Sequence, residues 1–101
     1  MERSYAVAWQ DGDGHQYAGR LDLGRTGLHL EGGNGSGPVI HDLVYARLAD
    51  VRITRQLEER LSGRPTLVVR ELDGRTIRIA CIGEPGALPE LVEFLTRQLA
   101  S

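Results

Sequence analysis

A chain of 101 residues with 41% hydrophobic and 26% charged residues has the composition of a single globular domain, which excludes a disordered tail. Its net charge of −2 leaves no overall attraction to nucleic acid or to an anionic membrane. One cysteine, Cys81, excludes an intrachain disulfide and a cysteine-based metal cage, which suits a reducing compartment. No secretory leader pattern opens the chain and no apolar run is long enough to span a bilayer, so we expect a cytoplasmic protein.

Alternation of apolar and polar residues dominates the chain up to about Ile82 and predicts β-strands. In the fifth strand, Val51 and Ile53 are expected to face inward and Arg52 outward. Asp73 and Gly74 predict a two-residue hairpin turn between the last two strands. The predicted strands are residues 4–10, 15–23, a third strand containing Leu28 and Leu30, then 39–45, 51–56, 66–72 and 76–82.

The segment 56–64 has two interpretations, a helical turn with Leu57 and Leu61 on one side or an ordered loop. Gly63 and Pro65 exclude a long helix there. After Gly83 the apolar residues recur at helical spacing, which predicts a C-terminal amphipathic helix that packs on the sheet. Its apolar stripe consists of Leu88, Leu91, Val92, Leu95 and Leu99.

The predicted order is seven strands in hairpin succession followed by one helix, and its most characteristic segments are 19–23, 27–32, 48–51 and the hairpin within 63–82. These features resemble the pleckstrin-homology-like superfold and particularly its bacterial and GRAM-type members. The resemblance implies a mainly β fold, with seven antiparallel strands in two orthogonal sheets that form a partly open barrel capped by the helix. It implies a fold and not a ligand, because the superfold contains lipid binders, peptide binders and scaffolds.

The sequence departs from the phosphoinositide-binding members of this superfold in its first hairpin loop. Those members carry basic residues there, whereas this chain has Asp11 and Asp13, which would repel a phosphorylated headgroup. The closing helix also has Phe94 where eukaryotic members usually have tryptophan. The resemblance therefore does not predict phosphoinositide binding.

The sequence contains no recognisable catalytic or metal-binding constellation. Its serines lie in predicted loops or near the termini without a nucleophile-elbow motif, and Cys81 alternates with apolar strand residues, which predicts an inert thiol. Asp11 and Asp13 do not begin a calcium loop, because Gln16 stands where that loop needs glycine. His29 is expected outward and His41 inward, which argues against a shared metal site. We predict a protein that is not an enzyme and has no cofactor.

Arginine supplies every basic residue, and a set of arginines around the fifth strand and the following loop is the main surface feature. Such a patch would suit an acidic peptide, a phosphate or an anionic membrane edge. Nearby acidic residues, including Glu58 and Glu59, would neutralise part of it. The candidate binding patch is Arg47, Arg52, Arg55, Arg60 and Arg64, which Arg70 and Arg78 would extend from adjacent strands.

The leading hypothesis is a non-catalytic interaction module that binds a protein or peptide partner, or pairs with a second copy of itself. Its contact would be an exposed strand edge or the groove beside the closing helix. The first alternative is peripheral binding to anionic membrane lipid through the arginine patch, and the second is a small-molecule-binding β-barrel, although the apolar inward faces predict a filled core. Nucleic acid is the least favoured partner, since exposed aromatic residues for base stacking are scarce.

Overall fold

The computed structural model describes residues 3–12, 14–33, 37–54, 56, 58, 60–83 and 86–100. Short 3₁₀ turns at Tyr45–Arg47 and Leu61–Gly63 join some of the regular elements. Those elements are the strands β1 (Arg3–Asp11), β2 (Gln16–Leu23), β3 (Gly27–Gly33), β4 (Pro38–Val44), β5 (Leu48–Thr54), β6 (Thr66–Glu71) and β7 (Thr76–Cys81), and the helix α1 (Ala87–Ala100).

The strands form one antiparallel sheet in the order β4-β3-β2-β1-β7-β6-β5, which curls into a half-barrel against which α1 packs. This confirms the predicted mainly β fold with a C-terminal helix. The two orthogonal sheets implied by the resemblance are two parts of one continuous sheet. Continuity is possible because β1 is nine residues long and pairs with β2 along one edge and with β7 along the other.

The core lies on the concave inner face of the sheet, where alternate side chains from all seven strands and from α1 form one buried cluster. Trp9, Leu21 and Ile79 are at most 1% exposed there. The helix lies over β5 and the Tyr45–Arg47 turn and buries Leu91 and Leu95 completely, which confirms the predicted apolar stripe. The concave face is thus filled with side chains.

Ile53 differs from expectation in its burial, though not in its direction. It pairs with Leu67 and so faces the same side of the sheet as the core, yet it is 41% exposed. It lies near the end of an edge strand, at the margin of the area that α1 covers. The buried residue at this strand end is Thr54, whose Oγ1 accepts a hydrogen bond from the Gln56 backbone N–H at 3.2 Å.

Among the described residues between β5 and β6, a 3₁₀ turn lies at Leu61–Gly63. Thr66 Oγ1 holds this turn, since it accepts a bond from the Leu61 N–H at 2.9 Å and donates one to the Arg64 carbonyl at 2.9 Å. Leu61 is buried, whereas Leu57, its partner in the helical interpretation, lies outside the described residues.

The β6–β7 hairpin is present as predicted, but its loop has three residues instead of two. Glu71 N–H donates to the Arg75 carbonyl at 2.8 Å, which closes the ladder around residues 72–74. Gly74 adopts a φ of +94° and its N–H donates to the Glu71 carbonyl. This is a turn followed by a glycine at positive φ, the common geometry of three-residue hairpins.

Candidate functional site

The described arginines of the predicted patch lie in different parts of the β5–β6 region. Arg47 lies at the end of the β5–β6 pair that contacts the hairpin loop, because its carbonyl accepts from the Leu72 N–H. Arg64 precedes β6 at the opposite end of that pair, and the placement of Arg55 lies outside the described residues. Arg60 is half-buried, with its Nε buried and without a hydrogen-bond partner among the described residues.

Strand register instead groups Arg52 with Arg70 and Arg78, which were expected on adjacent strands. Arg52 pairs with Val68, which pairs with Arg78, and Arg70 lies two residues from Val68 on the same outer face. Asp50 pairs directly with Arg70 and offsets part of this charge. The outer face of β5–β7 therefore carries mainly basic side chains, together with the acidic side chain of Asp50.

A largely apolar groove of about 430 Å³ lies between the end of β5 and the start of α1. The exposed side chain of Ile53 forms one wall, and among the described residues that line the groove only Arg64 carries a charge. The residues that line it are Ile53, Arg64, Pro65, Cys81, Gly83, Leu88 and Pro89. We call this surface the β5–α1 groove.

The chemistry of the β5–α1 groove is that of an apolar cleft with a cation at its rim. Burial raises the pKa of the Cys81 thiol, so this group stays protonated near neutral pH and acts as an apolar lining atom. Arg64 is exposed and can form a charge-assisted hydrogen bond with a carboxylate. The groove can therefore hold apolar side chains of a segment that also carries an acidic group.

A larger groove of about 620 Å³ lies beside the start of α1, between β1 and the residues after β7. Its polar groups already bind one another, because Glu90 Oε1 accepts bonds from Arg3 at 3.0 Å and from the Tyr5 hydroxyl at 2.8 Å. These contacts fasten the helix to β1.

The outer face at the other end of the sheet carries a continuous ladder of charged side chains across β2, β3 and β4. Arg20 bridges Asp22 and Glu31 at 3.1 and 3.2 Å. His29 Nε2 lies 2.9 Å from Glu31, and His29 Nδ1 lies 2.5 Å from Asp42. The hydrogen bond to Glu31, and to a smaller extent the one to Asp42, raises the pKa of His29 above its usual value.

His41 lies on the opposite face of β4 from this ladder, as the alternation predicted. Its ring centroid is 6.2 Å from that of Trp9, and its Nδ1 is 3.7 Å from Asp11 Oδ2. His29 and His41 therefore occupy different surfaces. Among the described residues, no three histidine, cysteine or acidic side chains are placed to hold a metal ion.

The sequence correctly predicted that His29 faces outward and His41 inward. It predicted neither the charged ladder nor the exposure of Ile53. The ladder depends on Asp22, His29 and Asp42 lying directly opposite one another, which is a property of strand register. Alternating acidic and basic residues in β2 and β3 are a signal of cross-strand pairing, but they do not specify which residues meet.

Comparison with known proteins adds evidence about the fold. The chain is similar to the crystal structure of the C-terminal domain of an unknown protein from Leishmania infantum, with a TM-score of 0.71 and 15% sequence identity. The similarity covers 93% of this chain and 82% of that one. No family model matches the chain, and no curated protein matches it. Within the described residues, no helix is long and apolar enough to cross a membrane.

Proposed function

We propose that this chain is a pleckstrin-homology-like, non-catalytic interaction module that binds a peptide segment of a partner protein in the β5–α1 groove. The observation that carries the proposal is the exposure of Ile53, which faces the core side of the sheet but is left 41% exposed at an edge strand. A partner that covers this side chain removes apolar surface from water, which is worth on the order of 1 kcal/mol for one partly exposed isoleucine.

Two further features of the groove support a peptide as the ligand. β5 is an edge strand, so an extended segment can add to it by backbone hydrogen bonds while its alternate side chains enter the apolar cleft. Arg64 at the rim favours a segment with an acidic residue next to its apolar anchors. We therefore expect the preferred ligands to be extended, apolar and acidic, and we expect binding in the cytoplasm.

The test is selection of peptides from a displayed random library on the immobilised protein, followed by affinity measurement on Ile53→Glu. We expect the selected peptides to bind this variant at least about tenfold more weakly, because a buried charge replaces an apolar contact at the centre of the site. Leu72→Glu is the matched control, since Leu72 is 67% exposed in the β6–β7 hairpin loop, away from the groove.

Equal affinity of wild-type protein and Ile53→Glu for the selected peptides would contradict the proposal. Equal losses of peptide affinity in Ile53→Glu and Leu72→Glu would also contradict the proposal, because they would show a general response to added negative charge. The melting temperatures of both variants should stay within a few degrees of wild type, since both side chains are exposed.

A further inference from the structure

The second edge of the sheet, at β4, presents an unpaired row of backbone groups. Tyr45 N–H donates to the Thr26 carbonyl at 3.0 Å, and the β3–β4 register stays constant from Gly27↔Val44 to Gly33↔Pro38. Hydrogen-bonded pairs alternate along an antiparallel ladder, so odd-numbered residues of β4 bond to β3. Ile40, Asp42 and Val44 consequently direct their backbone N–H and C=O groups away from the sheet.

The proline at the start of β4 agrees with the conclusion that even-numbered residues of this strand direct their backbone groups away from the sheet. Pro38 is an even-numbered residue, so the N–H that it lacks would have faced the open side, which is where strand proline is tolerated. The described part of the chain places no strand beyond β4. The edge is therefore open to another strand over Ile40 to Val44.

The side chains along this edge are those of a contact surface. Ile40 is 58% and Val44 48% exposed, and they flank Asp42 on the outer face. Edge strands of monomeric proteins are usually protected by a lysine, a bulge or a covering segment. Here the exposed outer face has two large apolar residues around one carboxylate.

Charge argues that the strand which pairs with β4 is not β4 of a second copy. A two-fold antiparallel pair with Ile40 opposite Val44 would put the two Asp42 carboxylates directly opposite each other, which is destabilising. Shifting the pair by two residues separates the carboxylates but puts each Asp42 opposite Ile40 or Val44, depending on the direction of the shift. None of these three registers matches apolar with apolar and charge with opposite charge.

The exposed carboxylate of Asp42 favours a basic side chain in the partner. Its Oδ1 contacts His29 Nδ1, yet the Asp42 side chain is still 68% exposed, whereas Glu31 on the neighbouring strand already lies against Arg20 and His29. A strand with a cation opposite Asp42 and apolar residues two positions before and after it would complement all three exposed side chains. Its apolar residues would contact Ile40 and Val44, and its backbone would bond to the open edge.

We infer that the β4 edge is a second docking surface, which accepts an extended segment of another protein with a basic residue between two apolar residues at alternate positions. This surface is independent of the β5–α1 groove, because β4 and β5 are the opposite edges of the sheet. The two surfaces also differ in the charge that they select.

The test uses a capped seven-residue peptide, Thr-Val-Thr-Arg-Thr-Val-Thr, and a matched peptide with glutamate in place of the arginine. Titration into ¹⁵N-labelled protein should shift the amide resonances of residues 38–44, and the arginine peptide should bind about fivefold or more tightly than the glutamate peptide. Asp42→Lys should reverse this preference. Ile53→Glu should bind the arginine peptide as wild type does, which separates this inference from the proposed function.

Equal binding of the two peptides by wild-type protein would overturn the inference. Amide shifts confined to β5 and α1, or an unchanged preference in a folded Asp42→Lys variant, would also overturn it. Sedimentation that shows a dimer dissociated by neither peptide would indicate that a second copy covers this edge. The first two readouts use wild-type protein, so they hold even if the variant does not fold.

Discussion

Gly19 and Gly32 lie directly opposite each other on β2 and β3, where the backbones leave no room for a side chain. A Cβ at Gly19 would lie 2.1 Å from the Glu31 carbonyl oxygen, and one at Gly32 would lie 3.0 Å from Trp9 Nε1. The same carbonyl oxygen accepts the indole N–H of Trp9 at 3.1 Å. This glycine pair therefore makes space for the largest core side chain and for its hydrogen bond.

Gly19→Ala should lower the free energy of unfolding by about 2–4 kcal/mol, because backbone atoms would have to shift to remove the clash. The melting temperature should fall by at least about 10 °C in a domain of this size. Gly86→Ala is the control, since a Cβ there has no atom within 4 Å and its φ is not positive. A similar melting temperature for the two variants would show that the close approach is not required.

The charged ladder makes stability depend on pH through His29. The raised pKa of His29 means that the folded state holds the proton more tightly than the unfolded chain, because Glu31 and Asp42 accept bonds from both ring nitrogens. Asp22 lies opposite His29 on β2 and is itself paired with Arg20. The contribution is present below the unfolded pKa of about 6.5 and is lost as pH rises through the higher folded value.

We expect His29→Gln to destabilise the protein more at pH 5.5 than at pH 8, as measured by urea denaturation. His15→Gln is the control, because His15 is an exposed residue between β1 and β2, outside the ladder. If the free energies of unfolding of wild type and His29→Gln differ by the same amount at both pH values, the ion pairs of the His29 imidazolium contribute nothing to folding.

At the scale of elements, α1 covers the core where β5 and the Tyr45–Arg47 turn meet the concave face. Leu91 and Leu95 enter the core, and the rings of Tyr45 and Phe94 meet edge-on with their centroids 5.9 Å apart. On the solvent side of the helix, Arg97 pairs with Glu93. A helix of 14 residues is not stable alone in water. Its stability must come from this packing.

Leu95→Ala should cost about 2–5 kcal/mol of unfolding free energy, because it leaves a cavity under the helix. Thr96→Ala, on the exposed face of the same helix, should change it by less than about 0.5 kcal/mol. Chemical denaturation of both variants measures the difference. A loss under 1 kcal/mol for Leu95→Ala would indicate that the helix contributes little to the fold.

At the scale of the whole molecule, the central position of β1 determines which surfaces are available. Because β1 pairs with both β2 and β7, the two outermost strands are β4 and β5. The β4 edge with Asp42 and the β5–α1 groove with Arg64 thus lie at opposite edges of one sheet. Because the two proposed docking surfaces share no residue, Asp42→Lys should leave the affinity for the groove peptides unchanged, and Ile53→Glu should leave the affinity for the arginine peptide unchanged.

Local patterning was enough to predict all seven strands and the helix, since alternation and helical spacing are properties of neighbouring residues. It also predicted the outward direction of His29 and the inward direction of His41. It was wrong on the length of the β6–β7 loop, where the ladder closes at Glu71 and Arg75. It also failed to predict that Ile53 would be exposed, because exposure depends on where the helix lies.

The sequence by itself determined which residues form strands, which face of each is apolar, and that a C-terminal helix covers the sheet, because these follow from periodicity and turn chemistry. Only the tertiary structure decided that Arg52 groups with Arg70 and Arg78 instead of with Arg64, and that His29 lies between two carboxylates. Both depend on contacts between residues far apart in the chain. Such contacts are set by strand register and by the order of strands in the sheet, which local patterns leave open.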